Sequence, residues 1–396
     1  MLANVTLASL VTLRLWWPDW YARLVTVPIR CQWRWLVYRR RWQAVMTIAG
    51  LAPTYRGRIT LPVLSRVRAG SCADLVTVRL VSGQSPKAFA DRAGELAHGF
   101  EACSCRIRTA KPGLVVLELV RRDALVAVIP ALPIPAVADL RALPVGRRED
   151  GGVFRIRLHG THLLIAGATG AGKGSYLWGL VRAMLPAMAA GLVRVHACDP
   201  KLMELAFGRA MFERFGKYAA DPADIAALLE DDVADMQNRA GRFAGRQRDH
   251  TPTIEDPFVV VLVDEVAFLT AYQADRKLKE RILAALATLT TQGRAVGYCV
   301  VAALQDPRKE VLNIRNLVPD KIALRLDEPA QVDLVLGDGA HDRGALCEEI
   351  SADPATGAGV GYVRLETDPD PVRVRAAFVS DDDIHVMTAA VTSEAG

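Results

Sequence analysis

The stretch that decides the fold is His162–Trp178, HLLIAGATGAGKGSYLW. It sets an apolar run, then glycines, then a segment with helical spacing. HLLIAG reads as a buried parallel strand, because such strands are covered on both faces. In SYLWGLVRAML, Leu177, Leu180, Val181 and Met184 share one stripe of a helix. The loop between them fits the phosphate-loop template G-x-x-x-x-G-K-[ST] up to its last position. Gly167, Gly172 and Lys173 match. Gly174 stands where Ser or Thr is expected, and Ser175 follows one place later. At a strand–helix junction the backbone of Gly167, Ala168, Thr169 and Gly170, then of Ala171, Gly172, Lys173, Gly174 and Ser175, can face phosphate oxygens. Lys173 would reach the outer phosphates as a point charge. The alternative is a glycine-rich turn that binds nothing; the lysine and the flanks argue against it. Gly174 leaves a backbone cradle intact but removes the hydroxyl that usually holds Mg²⁺. Ser175, or a water on the metal, is the expected substitute.

At 396 residues the chain should hold two or three domains. With 51% apolar and 23% charged residues it is a core-forming protein, which excludes disorder. A net charge of +5 permits a polyanionic partner without identifying one. The seven cysteines form no C-x-x-C pair and read as core residues of a reducing compartment, not as disulfides or a zinc site. Trp16, Trp17, Trp20, Trp33, Trp35 and Trp42 crowd the N-terminus, interleaved with Arg30, Arg34, Arg39, Arg40 and Arg41. The preceding apolar stretch is too short to span a bilayer and has no small-residue cleavage site. Trp at headgroup depth beside a basic cluster suits the cytoplasmic surface of a membrane. An aromatic domain surface, or a helix docking a membrane partner, is the alternative.

Residues 1–50 are therefore expected to be a membrane-proximal segment, and 51–126 a small α+β module. Ser85 and Pro86 signal a helix start there, and two strands flank the turn at Lys111-Pro112-Gly113. A Pro-rich linker should cover 127–142, a doubly wound α/β domain 143–385, and a tail 386–396. Within the α/β domain, PFVVVLVDEVAFL is a buried strand ending in Asp264 and Glu265. Asp264 would face Mg²⁺ or its water shell, and Glu265 is the candidate general base for an attacking water. Two solvated acids at a strand end are the alternative. YCVVAAL is a further buried strand, with Gln305 at the edge where ligands collect in such sheets.

The ordered set GATGAGKGS, DPKLMEL, VVVLVDEVAFL, GRAVGYCVVAALQDP and NLVPDKIALRL resembles the FtsK/SpoIIIE family of DNA-pumping motors, over roughly residues 143–380. A short motor behind a Trp- and Arg-rich N-terminus is similar to the transfer proteins of actinobacterial conjugative plasmids and integrative elements. The resemblance implies a RecA-like P-loop NTPase motor, ATP and Mg²⁺ as ligands, double-stranded DNA as cargo and a homo-hexameric ring. It implies Ser175 and Asp264 on the metal, Lys173 and Glu265 in catalysis, Gln305 as sensor, and Arg294 as the finger reaching a neighbour's ATP. Lys201 and Glu204 match the family's DPK segment without an evident chemical role. Two departures bear on DNA. Asp306 stands where FtsK members carry Arg, and their downstream Lys is missing. DNA contacts would move to Arg308, Lys309 and Arg315, or to Arg242, Arg246 and Arg248 with Arg239, in a segment that could line a pore. The expected function is ATP-driven DNA translocation for conjugative or intercellular transfer. A related ring ATPase driving protein secretion, and a nucleotide-regulated membrane adaptor with weak hydrolysis, are the rivals.

Overall fold

The computed structural model describes residues 16–55, 57–307 and 317–393. The described residues form two compact units, one of those up to 124 with 149–151, the other of 125–148 with the described residues from 152 on.

The first unit sets a long helix on a four-stranded sheet. Helix α1 (Val27–Ile48) buries Tyr38, Trp42, Val45 and Met46, which recur at helical spacing. Strands β1 (Val63–Ala69) and β2 (Ala73–Arg79) precede two short helices, α2 (Pro86–Ala90) and α3 (Ala93–Gly99). Strands β3 (Ser104–Lys111) and β4 (Leu114–Val120) follow, in sheet order β1-β2-β4-β3, with every pairing antiparallel. Val76, Val78, Val115, Leu117 and Leu119 alternate onto the helix-covered face. Ser85 does cap α2, its hydroxyl accepting the Ala88 N–H at 3.3 Å. Trp42 donates its indole N–H to the Pro62 carbonyl at 2.7 Å, and the Tyr38 hydroxyl donates to Asp74 at 2.6 Å. The structure thus draws the division near residue 50 differently. Helix α1 is a layer of this unit rather than a separate segment, because its second half supplies the core.

The second unit is built on an eleven-stranded mixed sheet. Its elements are β5 (Ile129–Pro130), β6 (Leu143–Arg148), β7 (Val153–Ile156), β8 (Leu163–Ala166), α4 (Lys173–Ala189), β9 (Val193–Cys198), α5 (Arg209–Phe215) and β10 (Gly216–Ala219). There follow α6 (Pro222–Phe243), β11 (Phe258–Val263), α7 (Val266–Leu269), α8 (Arg276–Gln292), β12 (Tyr298–Leu304) and β13 (Asp320–Ala323). Last come α9 (Pro329–Leu336), β14 (Val360–Leu365), β15 (Asp368–Phe378) and α10 (Asp381–Ser393). Sheet order is β10-β9-β11-β12-β8-β13-β14-β15-β6-β7, with β5 beside β15. The strands from β10 to β13 are parallel, and an antiparallel flank continues from β14 to β7.

The central strands are apolar throughout because both faces are covered. Along β11, Val260 and Leu262 pack with α4, whereas Val259, Val261 and Val263 pack with α6 and α8. Strand β8 lies between β12 and β13, so all parallel neighbours present their C-terminal ends on one edge. Ligands gather at that edge in sheets of this kind. Two boundaries shift here. The Pro-rich stretch is attached to the sheet, since Ile129 and Pro130 pair with Ala377 and Phe378, and Leu125 packs on Ala377. Helix α10 carries folded structure to Ser393, past the expected start of the tail.

Candidate nucleotide site

The loop 167–172 leaves β8 and enters α4. Glycine is required at its two turns: Gly170 has φ +75° and Gly172 φ +93°, in the left-handed region that side chains disfavour. At Gly172 a Cβ would also lie 2.3 Å from the Gly359 nitrogen. Helix α4 starts at Lys173 with no side-chain cap and no acid in its first turn. An uncapped helix start carries partial positive charge and suits an anion. The Lys173 ammonium folds over the loop, donating to the Gly167 carbonyl at 2.7 Å and the Ala168 carbonyl at 3.3 Å. Burial lowers its pKa, while Glu265 and Asp264 oppose that shift.

The neighbouring strand ends bring the acids. Strand β9 ends before Asp199, whose Oδ2 accepts the N–H groups of Leu205 and Ala206, each at 2.9 Å. Asp199 Oδ1 is buried with no hydrogen-bond partner among the described residues. Strand β11 ends before Asp264 and Glu265, both buried. Glu265 adopts φ +63°, a strained value for a non-glycine residue and one that clusters at functional sites. Its Oε2 pairs with the Lys201 ammonium at 3.2 Å, and its Oε1 accepts the Gln305 N–H at 3.3 Å. Thr169 donates to the Gln305 side-chain oxygen at 3.4 Å. Burial, then Asp199 and Glu265, push the Asp264 pKa up to about 6, against the pull of Lys201 and Lys173. Glu204 is raised to about 7, first by burial and then by Asp264.

Lys173, Asp264, Glu265 and Gln305, singled out in the sequence, therefore meet at one edge. Besides Lys201, which pairs with Glu265, sequence reasoning left three contributors without a role. Glu204 and Asp199 lie in the charge cluster, and Arg325 donates to the Thr169 carbonyl at 3.0 Å while its own carbonyl accepts the Ala168 N–H. The available signal for Arg325 was its place just beyond a buried strand. The oxygen donors suit a hard divalent cation. Among the described residues no three His, Cys, Asp or Glu side chains converge closely enough to hold an ion alone. Such an ion would draw further ligands from phosphate and water, as Mg²⁺ does.

Arg294 lies elsewhere. It precedes β12, at the N-terminal edge of the sheet, donating Nε to the Gly160 carbonyl at 2.9 Å and forking onto Glu366 at 3.3 and 2.8 Å. The arginines near the end of α6 divide. Arg239 is buried and donates to the Pro257 and Val296 carbonyls at 2.8 and 3.1 Å, so it is structural and lines no pore. Arg242 is ion-paired with Asp256, and Arg246 and Arg248 are exposed. Arg308, Lys309 and Arg315 lie outside the described residues. Among the described residues no helix is long and apolar enough to cross a membrane.

A glycine loop from a central parallel strand, with an acid pair on the next strand but one, defines a P-loop ATPase fold. The family model for the FtsK/SpoIIIE family matches residues 132–332, about half of the 396, and the chain belongs to that family. A second model, the actinomycete conjugal transfer protein N-terminal domain, matches residues 10–121. Among curated relatives, the DNA translocase FtsK of Lactococcus lactis subsp. cremoris is 24% identical over 341 residues, covering 80% of this chain and 43% of that protein. The FtsK of Mycobacterium tuberculosis H37Rv is 27% identical over 259 residues, covering 59% and 29%. The chain thus spans less than half the length of these relatives. The ATPγS-bound monomer of the pCW3 conjugation coupling protein TcpA aligns with a TM-score of 0.57 at 19% identity, over 90% of this chain and 99% of that one. EssC (ATPases 2 and 3) of Geobacillus thermodenitrificans aligns at 0.51 and 14%, over 67% and 51%. At such identities these structures corroborate the fold.

Proposed function

We propose that the chain is an ATP-driven motor that moves double-stranded DNA, working as a homo-hexameric ring in conjugative or intercellular transfer. The observation that carries this reading is the separation of the catalytic set. Lys173, Asp264, Glu265 and Gln305 sit at one sheet edge, and Arg294 sits at the other. Strand β12 runs between Arg294 and Gln305 with seven residues, which spans roughly 20 Å at the usual rise per residue. Arg294 therefore does not reach its own loop, which supports its serving a neighbour's nucleotide in this reading and would make hydrolysis depend on assembly.

In this reading the loop amides and Lys173 hold the phosphate oxygens. Glu265, aimed by Lys201 and the Gln305 N–H, takes the proton from the attacking water, and the Gln305 amide orients that water. Mg²⁺ bound with the nucleotide would neutralise phosphate charge. Asp264 would hold it together with an oxygen standing in for the hydroxyl missing at position 174, a ligand for which Ser175 is the sequence candidate. Arg246 and Arg248 offer exposed charge to a phosphate backbone, which needs reach rather than base readout.

Attachment to the cytoplasmic face of the membrane is supported by Trp16, Trp17, Trp20 and Trp33, which are 75%, 57%, 58% and 57% exposed. The guanidinium of Arg34 lies 5.1 Å from the Trp33 ring, pairing charge with an aromatic as interfacial segments do. The test is the ATPase rate with and without duplex DNA at low salt. Stimulation lost in Lys173→Ala, and in Glu265→Gln with nucleotide binding retained, supports the motor. Stimulation by a secreted peptide in place of DNA would move the cargo to protein, and binding with negligible turnover would leave an adaptor.

A further inference from the structure

The missing loop hydroxyl has a structural counterpart. A Cβ built on Gly174 would fall 2.1 Å from Glu204 Oε1, 2.5 Å from its Cδ and 2.7 Å from its Oε2. The room that a Ser or Thr side chain would occupy is thus filled by a carboxylate from another element. That carboxylate is held there. The backbone just after Glu204 is fixed by Asp199, which accepts the Leu205 and Ala206 N–H groups at 2.9 Å. The Glu204 carboxylate therefore lies against the first turn of α4, where the charges of Asp264, Asp199 and Lys173 act on it. Ser175 does not inherit this position, because one residue along a helix turns the side chain by about 100°.

Resting on the reading of the loop as a magnesium–nucleotide site, we propose that Glu204 supplies the oxygen ligand that a loop hydroxyl supplies in other P-loops. Residue 174 is glycine so that this carboxylate can reach the metal. Gly174 and Glu204 are then a compensated pair: the hydroxyl is lost from α4 and an oxygen returns from the segment after β9. A carboxylate also differs from a hydroxyl in charge. Without the metal it repels the phosphates, and with it the site is neutralised, so nucleotide binding should depend on Mg²⁺ more steeply than a hydroxyl ligand would make it.

The test is a titration of full-length protein with a fluorescent, non-hydrolysable ATP analogue, in EDTA and across Mg²⁺ concentrations. Mn²⁺ bound with the analogue is counted in parallel by electron paramagnetic resonance. Glu204→Gln and Glu204→Ala should raise the half-saturating Mg²⁺ about tenfold to a hundredfold, while metal-free binding stays as tight or tightens. The decisive variant is Gly174→Ser with Glu204→Ala, which should recover Mg²⁺ dependence towards wild type, whereas Gly174→Ala with Glu204→Ala should not. Unchanged Mg²⁺ dependence in Glu204→Gln, a Ser-containing double variant no better than Glu204→Ala, or a shift produced by Ser175→Ala instead would overturn the assignment. Failure of the wild type to bind the analogue with or without Mg²⁺ would instead remove the nucleotide reading itself.

Discussion

His162 stands just before the strand that leads into the glycine loop, and it should make the second unit acid-sensitive. The ring is fully buried, and its Nδ1 accepts the Val300 N–H at 3.0 Å. It thereby ties the start of β8 to β12, the strand that ends at Gln305. Burial is the main cause that lowers its pKa from 6.5 to about 4; Arg294 adds to the shift and the Thr290 carbonyl opposes it. The unfolded chain binds a proton on His162 below about pH 6.5, and the folded protein only below about pH 4. Between these values the unfolded state holds more protons, so stability falls as pH falls through the window. The full shift is worth about 3 kcal/mol, reached near the folded pKa. His162→Asn removes the titration and keeps an oxygen where Nδ1 accepts. Urea unfolding of both proteins at several pH values between 7 and 4 isolates the effect, since carboxylate titrations are common to both. The variant loses ring packing at neutral pH. Its deficit relative to wild type should then shrink by about 3 kcal/mol on reaching pH 4. A difference that stays constant across the range refutes the reasoning.

Arg294→Ala should bind nucleotide normally and lose hydrolysis; mixing it with Lys173→Ala subunits should restore part of the rate, and no rescue would point to a monomeric or cis-acting enzyme. Gly172→Ala forces a left-handed residue, worth about 1–2 kcal/mol, and also drives a Cβ against the Gly359 backbone. Its thermal midpoint and nucleotide affinity should both drop, and unchanged values would contradict the loop geometry. Replacing Trp16, Trp17, Trp20 and Trp33 together by Ala should release the protein from anionic vesicles without lowering its melting temperature, because all four are exposed. Equal vesicle retention would sink the attachment. Deleting residues 1–45 is the poorer test, since it removes the buried Tyr38 and Trp42 from their core.

What could be read from the sequence was whatever depends on neighbours along the chain. The loop, its flanking strand and helix, and the acid pair at the end of β11 are contiguous patterns, and each falls where its spacing put it. The Ser85 cap is of the same kind. The boundary at residue 50 failed for a physical reason. A Trp- and Arg-rich composition looks the same on an exposed helix face and on a buried one. Only the period through Tyr38, Trp42, Val45 and Met46 separates the half of α1 that packs from the half that carries Trp33. Arg239 and Arg248 read as one basic group for a similar reason, since charge alone does not tell a cation tied to two carbonyls from one in water.

Gly174 marks the limit of local reading most clearly. Searched for along the chain, the missing hydroxyl leads to Ser175, the next residue with a suitable oxygen. In three dimensions a helix turns that residue away, and the oxygen nearest the vacated direction belongs to Glu204, on a segment that follows a different strand. A template match scores such a glycine as a defect. The side chain occupying its place makes it a substitution with a partner. Because a double variant can move the oxygen back to position 174, the pairing is open to direct test, and the rescue it predicts has no counterpart if Gly174 is simply a damaged loop residue.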